Sequence, residues 1–312
     1  MIYLDNAATT KPSENAVKKA YNFISESFYN PSALYRQGIT CAEEIKKAKD
    51  FLLTTLKTSV HEVIFTSGGS ESDNQAIFCA KKRGVFVTDN GEHSAVYKSF
   101  SELKNRGYKV IFCDLNKDGS VNVQTLLETI KNEKDVSFVS IVHVNNETGA
   151  INDINYIAKK IKEINPAIIF HSDGVQAYGK LNYRLSSDVD LYSVSAHKIN
   201  GIKGVGSLFK KKGLNLSPLI FGGGQENGLR SGTENVFGIK VFEYAAEEHV
   251  EKLTENFKKV KNLNDYVREN IDKDIFTVIS GVNGSPYILT VSASGVRGET
   301  VMHLLEDKDV II

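Results

Sequence analysis

The tetrapeptide Ser195-Ala196-His197-Lys198 holds a lysine where a carbonyl compound could be bound covalently. It follows the apolar run 189–194 and precedes a glycine-rich return at 201–206. This pattern predicts a strand that ends in a tight loop, followed by a second strand at 207–209. An amine placed at the end of a strand can form a Schiff base with a carbonyl. The alternative is a solvated lysine in a polar turn, which is the commoner state of lysines.

A glycine-rich turn, Thr66-Ser67-Gly68-Gly69-Ser70, lies between a predicted strand at 63–65 and a predicted helix from about residue 71. Backbone N–H groups and the helix dipole converge at such a turn and form a cup for an anion. No Gly-Lys-Ser/Thr ending follows, so the pattern does not indicate a P-loop. The alternative is an ordinary turn from strand to helix.

Two polar residues follow the predicted strand at 168–171. A buried carboxylate at Asp173 needs a partner, and a protonated pyridine nitrogen is one. Gln176 could donate to a 3-oxygen on the same ring. The alternative for Asp173 is a helix cap.

Three more clusters lie at or beyond predicted strands. His93 follows the strand at 85–87, and an imidazole there can stack on an aromatic ring or exchange protons. Asn146, in the segment 143–149, could bond a phenolate oxygen or a substrate carboxylate. The segment 222–233, which opens with three consecutive glycines and ends at Thr233, suits a loop that offers donors to an anion. The alternatives are a structural histidine, a polar turn and a flexible linker.

The clusters together meet the chemical demands of pyridoxal phosphate (PLP). They supply an amine for its carbonyl, a carboxylate for its ring nitrogen, a ring to stack on its face and donors for its phosphate. Neither a nicotinamide nor a nucleotide cofactor would use all of them.

Strands and helices alternate through the first 250 residues, with helices predicted at 94–105 and 123–132 and a strand predicted at 138–144. This alternation predicts right-handed crossovers and a mostly parallel sheet covered by helices on both faces. Ligands of such α/β sheets bind at the carboxyl ends of the strands. From Val250 to Ile271, apolar residues recur three or four apart and predict one long amphipathic helix. Strands near 276–279 and 287–292, a helix at 298–307 and a final apolar run at 310–312 follow.

Composition restricts the class of protein. The 312 residues are 41% hydrophobic, and 38 lysines and arginines balance 38 acidic residues. This balance argues against nucleic acid or an anionic membrane as the main partner. No signal peptide or apolar run of about 20 residues is found. The cysteines, Cys41, Cys79 and Cys113, are few and widely spaced, which favours a reducing cytosol and a cytoplasmic protein.

The chain resembles the cysteine desulfurases, which are class V, fold-type I PLP enzymes. The resemblance rests on motifs spread over nearly the whole chain: Leu4-Asp5-Asn6-Ala7-Ala8-Thr9-Thr10, Thr66-Ser67-Gly68 running to Glu71-Ser72-Asp73-Asn74, Glu92-His93, His143-Val144-Asn145-Asn146-Glu147-Thr148-Gly149, Ser195-Ala196-His197-Lys198 and Arg230-Ser231-Gly232-Thr233. The last motif is closer to the nitrogen-fixation and iron–sulfur-cluster group than to the group with Arg-Ala-Gly-Thr.

The resemblance implies a seven-stranded, mostly parallel sheet in a large PLP-binding domain at 12–250. It implies a smaller α+β domain at 1–11 and 251–312 that is incomplete here. The implied catalytic residues are Lys198, as the Schiff-base lysine, and His93, which stacks on the ring and shuttles protons. The residues implied to bind PLP are Gly69, Ser70, His93, Asn146, Asp173, Gln176, Ser195, His197, Lys198 and Thr233, the last reaching over from the second subunit of a homodimer.

The implied reaction converts L-cysteine to L-alanine and leaves the sulfur as a persulfide on an enzyme cysteine. An acceptor protein, such as an iron–sulfur scaffold or a tRNA-thiolation enzyme, would then take the sulfur. The family's persulfide cysteine and its substrate-carboxylate arginine lie beyond the segment that matches 310–312, so we expect a shortened family member that releases no sulfide. Small departures are Ser70, where threonine is common, and Tyr35, where histidine is usual. A selenocysteine lyase, another class V aminotransferase and a non-catalytic assembly partner are the alternatives.

Overall fold

The computed structural model describes residues 1–80 and 83–312, and within them the chain forms eleven strands and nine α-helices. The strands are β1 (Ile2–Tyr3), β2 (His61–Thr66), β3 (Val85–Asp89), β4 (Val110–Cys113), β5 (Val136–Ser140), β6 (Ile169–Asp173), β7 (Leu191–Ser195), β8 (Gly206–Lys211), β9 (Phe276–Val278), β10 (Val291–Ala293) and β11 (Val310–Ile311). The helices are α1 (Glu14–Glu26), α2 (Arg36–Thr55), α3 (Gly69–Cys79), α4 (Ser94–Asn105), α5 (Val123–Asn132), α6 (Ile154–Ile164), α7 (Val236–Glu251), α8 (Leu253–Asn270) and α9 (Gly298–Glu306).

The central sheet has seven strands in the order β2-β8-β7-β6-β5-β3-β4. Neighbours from β7 to β4 pair in parallel, whereas β8 is antiparallel to both β7 and β2. The short connection at 196–205 is the reason, because a parallel neighbour needs a crossover of a dozen or more residues. Since β2 reverses again relative to β8, its carboxyl end returns to the same edge as those of β3, β5, β6 and β7. The predicted mostly parallel α/β sheet is confirmed.

Side chains that alternate along the central strands supply two hydrophobic cores, one on each face of the sheet. Val85 and Val87 join the core that contains Leu52 of α2. Phe86, between them in sequence, joins the core on the other face with Phe100 of α4. Helices therefore cover both faces, which is the environment in which parallel strands are found.

The helix α7 was not predicted from the sequence. Nine of its 16 residues are buried, and they include Lys240 and Glu243, which pair with each other inside the protein. A helix that is buried around much of its circumference shows no single apolar stripe. The predicted helix from Val250 is α8, but it begins at Leu253 because Val250 belongs to the last turn of α7.

Two smaller sheets complete the described structure. The ends of the chain meet where β1 pairs in parallel with β11, and β9 pairs with β10 in an antiparallel hairpin. The strand predicted at 287–292 is shorter than expected and begins at Val291. The division into domains at 12–250 and at 1–11 with 251–312 stays a prediction. Across residues 1–80 and 83–312, none of the helices combines the length and the apolar character that crossing a membrane requires.

Candidate active site

Lys198 lies at the carboxyl end of β7, in a single 3-10 turn formed by Ala196–Lys198. Its Nζ donates to the carbonyl oxygens of Ala7 at 2.5 Å and Ala8 at 2.7 Å, so the segment after β1 lies against the amine. Burial lowers the pKa of Lys198, although Asp173 and Asp5 act in the opposite direction. A lowered pKa increases the fraction of free amine, which is the form that attacks a carbonyl.

Asp173 ends the fully buried strand β6. Its Oδ1 accepts a hydrogen bond from the Val175 N–H at 2.9 Å. Burial raises the pKa of Asp173 despite this hydrogen bond and the positive charge of Lys198. A buried carboxyl group in this state is suited to a cationic partner that arrives with a ligand.

Asp73 was not predicted as a site residue, and it lies on α3 one turn beyond Gly69. Its side chain is 1% exposed, and neither carboxyl oxygen has a hydrogen-bond partner in the described part of the chain. Burial and then the neighbouring Asp173 raise its pKa well above the ordinary value. One polar atom from each of Asp73, His93 and Asp173 lies within 4.8 Å of the other two. The signal for Asp73 in the sequence was its position four residues, or about one helical turn, after Gly69 of the glycine cup.

His93 is the N-cap of α4, where its Nδ1 accepts a hydrogen bond from the Ala95 N–H at 3.2 Å. A ring nitrogen that accepts in this way carries no proton in the neutral imidazole. The proton of neutral His93 is therefore on Nε2, and the cap fixes this tautomer.

The glycine-rich turn packs closely against neighbouring backbone. Gly68 has φ +154°, and a Cβ on Gly206 would lie 2.7 Å from the Gly68 Cα. A Cβ on Gly69 would lie 2.8 Å from Val175 Cγ2. Because α3 begins at Gly69, its free N–H groups face the same edge of the sheet as Lys198.

Two side chains from the end of β7 stand beside this helix terminus. The Ser195 Oγ is buried and has no hydrogen-bond partner within the described residues, which leaves a donor for a ligand. The His197 Nδ1 lies 3.1 Å from Thr9 Oγ1. Burial, together with Lys198, Lys203 and Lys180, lowers the pKa of His197 to about 4, so this ring is neutral at pH 7.

Nine of the ten predicted site residues surround one cavity of about 450 Å³ including its mouth. They are Gly69, Ser70, His93, Asn146, Asp173, Gln176, Ser195, His197 and Lys198. The structure adds Asp73, Val142, Val144 and Val175 to the lining. Val142 and Val144 follow β5 in a stretch that was predicted to continue that strand.

Thr233 does not line this cavity. It is exposed on the loop 220–235, and the neighbouring Arg230 is tied to Glu71 of α3 by contacts of 2.9 and 3.3 Å. The same Glu71 carboxylate accepts the Ser67 N–H of the glycine cup at 2.8 Å. Glu71 thus links the loop that bears Thr233 to the glycine-rich turn.

The fold and the cavity define an α/β protein with an anion cup, a buried carboxyl group and a partly buried lysine at the carboxyl edge of its sheet. The aminotransferase class-V family matches residues 2–312. A NifS/IcsS protein homolog of Lactobacillus delbrueckii is 36% identical over 323 residues, covering 100% of this chain and 83% of the relative. The cysteine desulfurase IscS of Dictyoglomus turgidum is 35% identical over 310 residues, covering 96% of this chain and 78% of the relative.

Solved structures agree with these relatives. A NifS-like protein superimposes with a TM-score of 0.93 at 33% identity, covering 99% of this chain and 86% of the other. A structure of SspA in complex with cysteine has a TM-score of 0.85 at 28% identity, covering 100% of this chain and 88% of the other.

The chain belongs to the class V aminotransferase family, and the resemblance found in the sequence is confirmed. Class V aminotransferases and cysteine desulfurases depend on PLP, which is therefore the cofactor of this chain. The orphaned Ser195 hydroxyl, the buried Asp173 and the helix terminus at Gly69 fit a ligand that combines a phosphate with a basic ring nitrogen.

Proposed function

We propose that this chain is a PLP-dependent cysteine desulfurase. The reaction breaks the bond between carbon and sulfur in L-cysteine, releases L-alanine and forms a persulfide on an acceptor cysteine thiolate. The observation that carries the proposal is the placement of Lys198, Asp173 and His93 around one cavity beside the anion cup at Gly69. These residues come from four separate parts of the chain.

The surroundings of the nine predicted residues that line the cavity support a role for each of them. Lys198 would hold the cofactor covalently, and Asp173 would bind the ring nitrogen. The Gly69 and Ser70 backbone, with the side chains of Ser195 and His197, would hold the phosphate. Asn146 and Gln176 would bind the ring oxygen or the substrate, while His93 would stack on the ring face.

The bound cofactor supplies an electron-withdrawing ring that weakens the bonds to the substrate α-carbon. The protein residues prepare for this in three ways. The Asp173 carboxylate favours the protonated ring nitrogen, because opposite charges in a buried site stabilise each other. The lowered pKa of Lys198 leaves more of its amine unprotonated, so the amine could accept a proton. The Nδ1 of His93 accepts the hydrogen bond that caps α4, so Nε2 is the ring nitrogen that is free to exchange a proton.

The sulfur-accepting thiolate is not one of the three cysteines in this sequence. Cys41, Cys79 and Cys113 are all buried, and none of them lines the cavity. Burial raises the pKa of Cys79 and of Cys113 to about 11, which keeps both thiols protonated at neutral pH. A protonated, buried thiol is a poor nucleophile toward sulfur. Downstream, we propose an acceptor protein for iron–sulfur cluster or thio-cofactor synthesis.

We also propose a homodimer in which Thr233 completes the phosphate site of the partner. The exposed position of Thr233 supports this, and so do two large exposed apolar side chains: Phe221, on the same loop, is 81% exposed, and Leu34, just before α2, is 93% exposed. Glu226 of the loop pairs with Lys49 of α2 at 2.5 Å, so the loop lies against the helix that Leu34 precedes.

Mixed dimers test this arrangement. If Thr233 acts across the interface, mixing Thr233→Val chains with Lys198→Ala chains creates some sites that have both native residues. PLP titration of the mixture should then recover a fraction of tight sites that neither variant has alone. Recovery of no tight sites, or a chain that stays monomeric in light scattering with PLP present, would refute the arrangement.

The visible absorption spectrum tests the main proposal. The purified protein with PLP should develop a visible band that survives gel filtration, and the Lys198→Ala variant should lack it. Addition of L-cysteine should change the band. Product analysis after incubation with cysteine, selenocysteine or a keto acid, with an added thiol as the sulfur acceptor, separates a desulfurase from a selenocysteine lyase and from an aminotransferase. A wild-type chain that retains no PLP would overturn the proposal.

A further inference from the structure

Lys180 is a buried lysine that the assigned roles leave unexplained. It lies in the turn that follows β6, seven residues after Asp173, and it is only 5% exposed. In the part of the chain that the structure describes, its Nζ forms no salt bridge. Its hydrogen bond is to the Gln176 Oε1 at 2.8 Å. An ammonium group without a carboxylate is unusual at this depth.

The hydrogen bond from Lys180 determines how the Gln176 amide is oriented. An ammonium group can only donate, so the amide oxygen must face Lys180. The amide nitrogen then points the other way, where it donates to the Ala7 carbonyl at 2.8 Å. The same carbonyl accepts from Lys198. One continuous path of hydrogen bonds therefore joins Lys180 to the lysine of the cavity, and the second N–H of Gln176 remains for a ligand.

The groups that face Lys180 are neutral or positive, apart from Asp153, which lines a neighbouring cavity with it and forms no salt bridge to it in the described part of the chain. Lys198 and His197 face it from the turn after β7, and His249 faces it from α7. The Tyr287 ring lies 6.0 Å from its Nζ. His143 and Tyr183 share a neighbouring cavity with it. Burial and the charge of Lys198 lower the pKa of Lys180 to about 7, so its charge is costly until an anion approaches.

We propose that Lys180 is a positioning residue for the ring oxygen of the cofactor. It holds the Gln176 amide with its N–H groups toward that oxygen, and it adds positive charge on the same side of the ring. The inference rests on the proposed role of Gln176 in binding this oxygen. A negative ring oxygen is the anion that the buried ammonium otherwise lacks, so binding of PLP and protonation of Lys180 should favour each other.

Substitution of Lys180 by methionine, glutamine and arginine separates orientation from charge. Lys180→Met removes both, and it should weaken PLP binding about tenfold, the loss typical of one hydrogen bond from a charged donor. Without the nearby positive charge, the pH at which the visible band changes should move upward by about one pH unit. Lys180→Gln, which can still donate, should recover most of the affinity but keep the shifted pH midpoint. Lys180→Arg should stay near the wild type in both.

Lys210→Met is the matched control. Lys210 is also buried, at 4% exposed, but its Nζ pairs with Glu62 and donates to Leu214 away from the cavity. This variant should keep the wild-type affinity and pH midpoint, even if it loses stability. If Lys180→Met does not fold, the glutamine and arginine variants decide the question. Unchanged PLP affinity and pH midpoint in the variants that fold would overturn the inference, whereas absence of a visible band in the wild type would refute the cofactor proposal itself.

Discussion

Replacing Asp173 by asparagine should weaken cofactor binding and stabilise the cofactor-free protein at the same time. The amide oxygen of asparagine can still accept the Val175 N–H, so the local backbone is retained. The negative charge is lost. A carboxylate that bonds a charged group contributes about 1.5–3 kcal/mol, which corresponds to an affinity for PLP that is roughly 10- to 150-fold weaker.

The direction of the stability change in the cofactor-free protein follows from the pKa of Asp173. Burial raises this pKa above its unfolded-state value. Below the unfolded-state pKa the group carries no charge in either state, and stability is lost as the pH rises through the folded-state pKa. Asparagine removes this loss. The gain at pH 8 should be about 1–3 kcal/mol in the free energy of unfolding, because an unpaired charge is no longer buried.

Asp89→Asn is the matched control for this experiment. Asp89 is fully buried, its Oδ1 accepts the Gly91 N–H at 2.8 Å, and burial raises its pKa from 3.8 to about 6. That pKa difference means that burying the ionised Asp89 costs about 3 kcal/mol of folding free energy at pH 8. Asparagine removes this cost, but its unpaired amide N–H groups offset part of the gain. Asp89 does not line the cavity. This variant should therefore gain stability without losing affinity for PLP.

Urea unfolding of the apoprotein at pH 5 and pH 8, with PLP titration followed by absorbance, measures both quantities. The reasoning is refuted if Asp173→Asn binds PLP as the wild type does. It is also refuted if Asp173→Asn destabilises the apoprotein at pH 8 while Asp89→Asn stabilises it.

Three further outcomes are expected. Glu71→Gln weakens the 2.9 Å pair with Arg230 and should cost about 1–3 kcal/mol in urea unfolding. Burial alone would raise the pKa of Glu71, but Arg230 and the hydrogen bonds from Ser67 together lower it. The stability that the Glu71 carboxylate contributes is therefore present above the unfolded-state pKa and disappears as the pH falls through the folded-state pKa. An equal effect of the substitution at pH 3 and pH 7 would contradict this. Gly206→Ala would place a Cβ 2.6 Å from the Val194 carbonyl oxygen and should cost at least about 2 kcal/mol, with weaker PLP binding; a stability equal to wild type would show that the turn can relax. Finally, the 312-residue chain with PLP and L-cysteine should release no more sulfide than PLP alone, because its three thiols are buried; robust release measured by a colorimetric sulfide assay would disprove this.

The sequence was sufficient to predict the sheet, and it singled out nine of the residues that line the cavity. The buried strand β3 is a short apolar run that Asn90 and Gly91 follow, so local composition is enough to locate it. The cup at Gly69 and the lysine at 198 were likewise local, because each needs only a strand end followed by a turn. The helices α4 and α5 were predicted with their observed bounds, since both carry one apolar stripe and a capping side chain.

Features that depend on contacts between distant segments were decided only by the tertiary structure. The helix α7 is buried on several sides, so its composition does not reveal a face. Asp73 has an ordinary position on a helix, and it becomes a buried neighbour of Asp173 only when α3 packs against β6 and β7. Lys180 becomes a member of the site through a 2.8 Å contact with Gln176 and the return of Ala7 from the start of the chain. Sequence patterns report how a segment is buried, whereas the charge environment of a side chain is a sum over neighbours that only the folded chain assembles.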